Sequence, residues 1–438
     1  MSRLKLLLVV LLFTLSILGK QFTFAQDEEQ KVVISPQLIW HNKLGLQPQW
    51  IAVNGNMVTT ASAFSSMIAN FDLKSGRLIW NYEGPTPTVA EPVLVDENLF
   101  FVHKNNSISV LNQNTGEIKS KWLVFPYDDV LSQEAKEQEI KSKITQEYDR
   151  EKSRERAELI KKLRRVKKLM LKDKLSHQKQ LAYTKPLVCS KYVFFLASNG
   201  MMTRISKDLQ EVVRYYFPIK SIKQKFFYST PCGVNLSDND DEDILVNLYA
   251  ITADGILYDL LDDLPSFYQT EKIGTEYDDF RLPLYLINKK LYIISSNGSI
   301  YCYKIYDGLE KIWSKNTAVP KLYQEDQYGR LMVEPCFNEN NDTLYINSNN
   351  KIYSINAING KVNWVKKVSA STPTAYWKDH IIVATKDKEL LFLNAKDGSI
   401  VKSTELPTSP RTKLIVEKDH LLMGDQNSLY CWKLCSEQ

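Results

Sequence analysis

The sequence has few of the residues that usually carry catalysis. It has five histidines, His41, His103, His177, His380 and His420, and they are scattered along the chain. His380 and His420 share a Lys-Asp-His context, which is an echo between repeats rather than a ligand pair. No HExxH, glycine-rich phosphate loop or Ser/His/Asp order is present. The six cysteines include no adjacent pair, and none of their spacings is a zinc pattern. Cys232 and Cys336 each follow a proline directly, and Cys302 and Cys431 share another repeated position, so packing is the expected role of these thiols. Cys431 and Cys435 would lie along one strand, too far apart for easy bonding.

Long apolar runs are also scarce. Leu6 to Leu18 is mostly apolar but too short to span about 30 Å of hydrocarbon. Arg3 and Lys5 precede it, and Thr23-Phe24-Ala25 places small residues around a cut after Ala25. Residues 1–25 therefore read as a cleaved secretory signal peptide, and the mature chain as secreted or periplasmic. No lipobox cysteine follows, and no other segment is long and apolar enough to span a membrane. Nucleic acid is not an expected partner for an exported chain.

The chain does contain a repeat. Pro48, Pro92, Pro186, Pro231, Pro283, Pro335, Pro373 and Pro410 each precede a short apolar strand, at steps of 44, 94, 45, 52, 52, 38 and 37 residues. Such a period in a strand-rich chain marks a solenoid, propeller or array. Each unit reads as four strands with Asn-, Ser- and Gly-rich turns, for example Leu291–Ile294, Ser295-Ser296-Asn297-Gly298 and Ile300–Tyr303. The approach to the fourth strand carries a sharper mark. Asp72 and Gly76 lead to Trp80, and Asn356 and Gly360 lead to Trp364; Asn112/Gly116 and Asn394/Gly398 keep the turn without the tryptophan, and Asp307-Gly308 precedes Trp313. Asp or Asn caps the turn, Gly supplies its positive φ, and Trp is expected to cover the seam between neighbouring sheets.

The Asp/Asn-x-x-x-Gly-x-x-x-Trp repeat resembles that of the pyrroloquinoline-quinone-like (BamB-like) β-propeller family, over residues 35–435 apart from one insert. That family includes quinoprotein dehydrogenases and an outer-membrane assembly factor. The resemblance implies an all-β, eight-bladed propeller of four-stranded antiparallel blades. Residues 26–130 then hold blades 1 and 2, and residues 183–438 hold blades 3 to 8. The last unit has three clear strands, so Pro36–Trp40 is expected to supply its fourth and close the ring.

Residues 131–182 form the insert between blades 2 and 3. Its central part, 132–180, lacks Gly and Pro and carries 16 basic and 9 acidic groups, with the acidic residues early and the basic ones late. Leu159, Leu163, Val166 and Met170 mark an amphipathic stripe. One helix would be about 73 Å long with distant ends. A charged, coiled-coil-like hairpin of two antiparallel helices is expected instead, either a solvated protrusion or an arm for an acidic partner or peripheral membrane contact.

One loop has oxygen donors at alternating positions, Asn235, Ser237 and Asn239, followed by Asp243, which makes it a weak calcium candidate. Asp240 stands where such loops need Gly, so an acidic solvated turn is the plainer reading. The residues before the repeat prolines (Gln47, Glu91, Lys185, Thr230, Leu282, Glu334, Thr372, Ser409) show no dedicated base. The expectation is a scaffold without catalysis or cofactor, binding a protein partner through blade loops or the helical insertion. The alternatives are a quinone- or metal-dependent oxidoreductase, and a sugar- or ligand-binding propeller with Tyr and Trp at the channel mouth.

Overall fold

The β-branched and aromatic runs assemble, in the computed structural model, as eight four-stranded antiparallel sheets. The described residues are 33–123, 184–189, 191–198, 200–216, 231–235, 246–261, 267–305, 309–316 and 334–437. Within a blade the strands pair in chain order, as in blade 1 with Trp50–Asn54, Met57–Ala61, Met67–Asp72 and Leu78–Glu83. Tight two-residue turns join several first and second strands. Asn288-Lys289 and Lys378-Asp379 have positive φ at both positions, the twist that matches hairpin strands.

Blade 8 differs in its connectivity. Its inner three strands are Ile415–Glu417, His420–Gly424 and Ser428–Glu437, and its outer strand is Val33–Lys43 from the other end of the chain. The pairing runs from Val33 opposite Glu437 to Lys43 opposite Ser428. The expected closing strand is thus present and longer than Pro36–Trp40. Joining the two ends in one sheet leaves no open flank in the ring.

The core is not one mass but eight seams. One apolar cluster joins blades 1 and 2 around Phe101 and Leu111; another joins blades 5 and 6 around Ile300 and Ile346. A third, around Trp40, Ile51 and Leu422, joins blades 8 and 1. Four seams are locked the same way. The indole N–H of Trp40, Trp80, Trp313 and Trp364 donates to the carbonyl oxygen of Leu73, Gln113, Ala357 and Ala395, at 2.8, 2.7, 3.2 and 2.8 Å. Each indole lies over a turn glycine of the next blade, Gly76, Gly116, Gly360 or Gly398. A Cβ there would stand 2.6–2.7 Å from the ring, and φ is +68 to +74°, so the position demands glycine twice over. The residues opposite these tryptophans on the third strand are Cys431, Asn70, Cys302 and Ser354. The shared position of Cys302 and Cys431 is therefore a packing position, and none of the six cysteines is joined in a disulfide.

In seven blades the outer strand carries a one-residue irregularity just before this docking position, with Ile39, Ile79, Lys119, Thr270, Ile312, Asn363 and Val401 left unpaired. The outer strand of blade 3, Val212–Tyr216, pairs without a break.

No helix occurs among the described residues. The expected helical hairpin at 131–182 and the leader at 1–25 both lie outside them. Among the described residues no helix is long and apolar enough to cross a membrane.

Candidate functional site

Strand register, rather than proline position, defines what faces the propeller axis. In blades 2, 3 and 8 the first hairpins close with the pairs Val95–Asn98, Cys189–Tyr192 and Glu417–His420. Counting back equally from each pair aligns Glu91, Lys185 and Lys413. The pairing of Cys336 with Tyr345, matched to that of Val93 with Phe100, adds Glu334 of blade 6 to the same position. In blades 5 and 7 the position is filled by Pro283 and Pro373. The pre-proline alignment that paired Ser409 with Glu91 is therefore corrected: Lys413, not Ser409, is the equivalent residue. Hydrogen bonds agree, because Thr412 receives the Gly424 N–H as Thr372 receives that of Ala384.

These four side chains meet. Lys413 Nζ lies 3.2 Å from Glu91 Oε2 and 3.1 Å from Glu334 Oε1, and Lys185 Nζ lies 2.7 Å from Glu91 Oε1. Blades 8, 2 and 6 are not neighbours, so Lys413 can touch both carboxylates only by reaching across the centre of the ring. Burial pushes the Glu91 carboxyl up, but Lys413 and Lys185 outweigh it and hold it below its ordinary range. Burial likewise lowers Lys413, and Glu334 and Glu91 more than reverse this, raising it above the usual lysine range. Glu91 and Lys413 are therefore both ionised at neutral pH. The Tyr285 hydroxyl, which has no hydrogen-bond partner among the described residues, is pushed well up by burial and by the nearby Glu334 and Glu91 charges.

Beside this network is a cavity of about 390 Å³ along the inner strands of blades 6, 7 and 8, lined by Glu334, Cys336, Glu339, Thr374, Tyr376 and Lys413 among others. Cys336 Sγ lies 3.3 Å from Thr374 Oγ1. Burial pushes its thiol up to about 12, so it stays protonated and is a poor nucleophile.

A quinone with its cation needs carboxylate and amide oxygens free to ligate the metal, and a flat ring floor. Here Lys413 already stands between Glu91 and Glu334. No group of three His, Cys, Asp or Glu residues able to hold a metal occurs among the described residues. The described axial residues do not fit that group. Of the calcium candidates, Asn235 ends the strand Cys232–Asn235, while Ser237, Asn239 and Asp243 lie outside the described residues.

Sequence reasoning listed Glu91, Lys185 and Glu334 without a role and passed over Lys413. The signal was the alternation of sign at one repeat position, hidden because the proline moves by one residue in blades 5 and 7 and is absent there in blade 8.

The family profile described as outer membrane protein assembly factor BamB matches residues 30–125 and 280–404, together just over half of the chain. A search of curated proteins returns no match. Among solved structures, BamB from Moraxella catarrhalis superimposes with a TM-score of 0.58 at 13% identity, covering 92% of this chain and 98% of that one. Sqt1 from Saccharomyces cerevisiae gives 0.64 at 10% identity, with 92% and 100% covered. A europium-containing methanol dehydrogenase gives 0.59 at 10%, with 91% and 93% covered. At these identities the structural likeness shows the fold alone. The family match, the tryptophan-on-glycine seams and the closed ring agree, and the chain belongs to the BamB-like family of pyrroloquinoline-quinone-like propellers.

Proposed function

We propose that the protein is an exported, non-enzymatic scaffold that recruits a protein partner through blade loops or the 131–182 segment, in a cell-envelope setting and after cleavage near Ala25. The supporting observation is the axis itself. The place where a propeller enzyme would hold its reactive group is spanned by Lys413, paired with Glu91 and Glu334. Those ion pairs join blades and, among the described residues, leave no free base or ligand set there. Rim loops and turns remain as the contact surface.

A pull-down from the native envelope fraction tests this, with the full chain beside a variant lacking 131–182. A reproducible partner retained by either form supports the scaffold, and its loss on the deletion assigns contact to the insert. A quinone and calcium titration followed in the visible range separates the oxidoreductase alternative. A bound-cofactor spectrum with dye-coupled alcohol oxidation would overturn the proposal.

A further inference from the structure

The cavity beside the axial network has an unbalanced charge. Glu91 and Glu334 are answered by Lys185 and Lys413. Glu339 also lines the cavity, is exposed, and forms no ion pair or hydrogen bond among the described residues. It stands two residues beyond the inner strand Cys336–Phe337 of blade 6, in a turn that Asn338 holds. Asn338 Oδ1 accepts from the Asp342 and Thr343 N–H groups at 3.0 Å each, and its Nδ2 donates to Asp342 Oδ1 at 2.7 Å. The Glu339 backbone is thereby fixed while its carboxylate is left open.

Tyr376, from the inner strand Ala375–Trp377 of blade 7, is another wall of the cavity. Its hydroxyl donates to Asp379 Oδ1 at 3.3 Å. Burial pushes that hydroxyl up, and the Asp379 and Glu339 charges push it further, so both carboxylates act on this wall. No cation among the described residues pairs with either. The neighbouring Lys378 ammonium is bound instead to Asp419, at 2.8 Å.

The half-buried side chains of Phe337, Ile415 and Val416 give the cavity apolar walls. An uncharged occupant would leave the carboxylates unanswered, an anion would be repelled by them, and a bare inorganic cation would gain nothing from the walls. A lysine or arginine side chain meets both demands, because its methylenes lie along apolar surface while its head stays polar and partly wet. The volume of about 390 Å³ falls within the roughly 300–1,000 Å³ typical of ligand sites, which is room enough for such a chain. We propose that this cavity is a socket for one basic side chain of a protein partner, its head paired with Glu339 beside Tyr376 and its stem laid along Phe337, Ile415 and Val416. This rests on the scaffold reading for drawing the occupant from a protein.

Ligand-observed NMR and calorimetry on the full chain test the socket with acetylated, amidated Gly-Gly-X-Gly peptides in which X is lysine, arginine, norleucine or glutamate. The lysine and arginine peptides should bind at about millimolar concentration and the other two should not. Glu339→Gln should weaken binding by about threefold or more, in keeping with a partly solvated ion pair, and Glu339→Lys should abolish it. Glu339 is exposed, so both variants should keep the melting temperature of the unmodified chain. Glu405→Gln, on the outer strand of blade 7, should bind as the unmodified chain does. Failure of both basic peptides, equal binding of the norleucine peptide, or binding unchanged in Glu339→Lys overturns the proposal. n-Butylamine bound as tightly as the lysine peptide would make the occupant a free amine and overturn it too. The envelope pull-down reads the scaffold separately: a partner captured equally by the unmodified and Glu339→Lys chains removes the socket and keeps the scaffold.

Discussion

The indole of Trp40 rests on Gly76, where an added Cβ would stand 2.6 Å from the ring, and its N–H is bonded to Leu73 in the same turn. Trp40 sits on the strand that completes blade 8, and Gly76 belongs to blade 1, so this contact seals the ring. The same pairing recurs at three other seams; elsewhere the docking position has no tryptophan, with Glu271 in blade 4 and Lys402 in blade 7. Ser120 takes the docking position in blade 2, opposite Val110, and the facing turn of blade 3 has Gln210 where the others have glycine. Glycine is kept where an indole lies on it.

Trp40→Ala should cost about 3–5 kcal/mol, the range for deleting a buried aromatic side chain. Gly76→Ala should cost about 1–3 kcal/mol through overpacking and strained φ. Because the two residues are in contact, the double variant should cost less than the sum. Urea unfolding of the four proteins measures this; strict additivity would show that the contact carries no energy.

Removing Lys413 leaves Glu91 and Glu334 facing each other without their shared cation. Lys413→Met should destabilise the fold by about 2–4 kcal/mol, somewhat under the range for breaking a fully buried pair because the groups are partly solvated. Adding Glu91→Gln and Glu334→Gln should recover part of the loss. Glu91 is held below its unfolded pKa, so its contribution is present above about pH 4.5 and fades as pH falls through the lower folded value. Melting temperatures of the single and triple variants decide the matter.

His103 is fully buried, donating from Nδ1 to the Thr86 carbonyl and accepting at Nε2 from the Ser109 hydroxyl. Burial is the main cause that lowers its pKa from 6.5 to about 4. The unfolded chain therefore takes up a proton below pH 6.5 that the folded chain refuses until about pH 4. Stability should fall across that window, by about 2 kcal/mol at pH 5, and level off below pH 4. His103→Gln should be less stable at pH 7 but lose this slope. Urea midpoints at pH 7 and pH 5 compare the two; an unchanged slope in the variant would place the acid sensitivity elsewhere.

Burial pushes the Cys302 thiol up to about 11 and the Cys431 thiol up to about 12. Both should resist alkylation at pH 8 in the folded protein and react at once in urea. Half-buried Cys435 should label first. Mass spectrometry of iodoacetamide-treated protein, native and unfolded, reads the order, and a native disulfide would appear as a pair that never labels without reductant.

Most of the architecture was legible because hairpin physics is local. Alternating runs, Asn-rich turns and the Asp/Asn–Gly–Trp spacing all act within about a dozen residues, and even the closing strand announced itself through Trp40. The axial network was not legible, since Lys413 and Glu91 are 322 residues apart and become equivalent only through strand register.

The interrupted outer strands also restrict how other chains can attach. An incoming extended segment needs an even row of amides and carbonyls, and seven of the eight rims break that row one residue before the docking position. Lateral zippering between copies is thereby discouraged around nearly the whole circumference. The smooth margin of blade 3 is the exception, and it is where a foreign β-segment would meet least resistance.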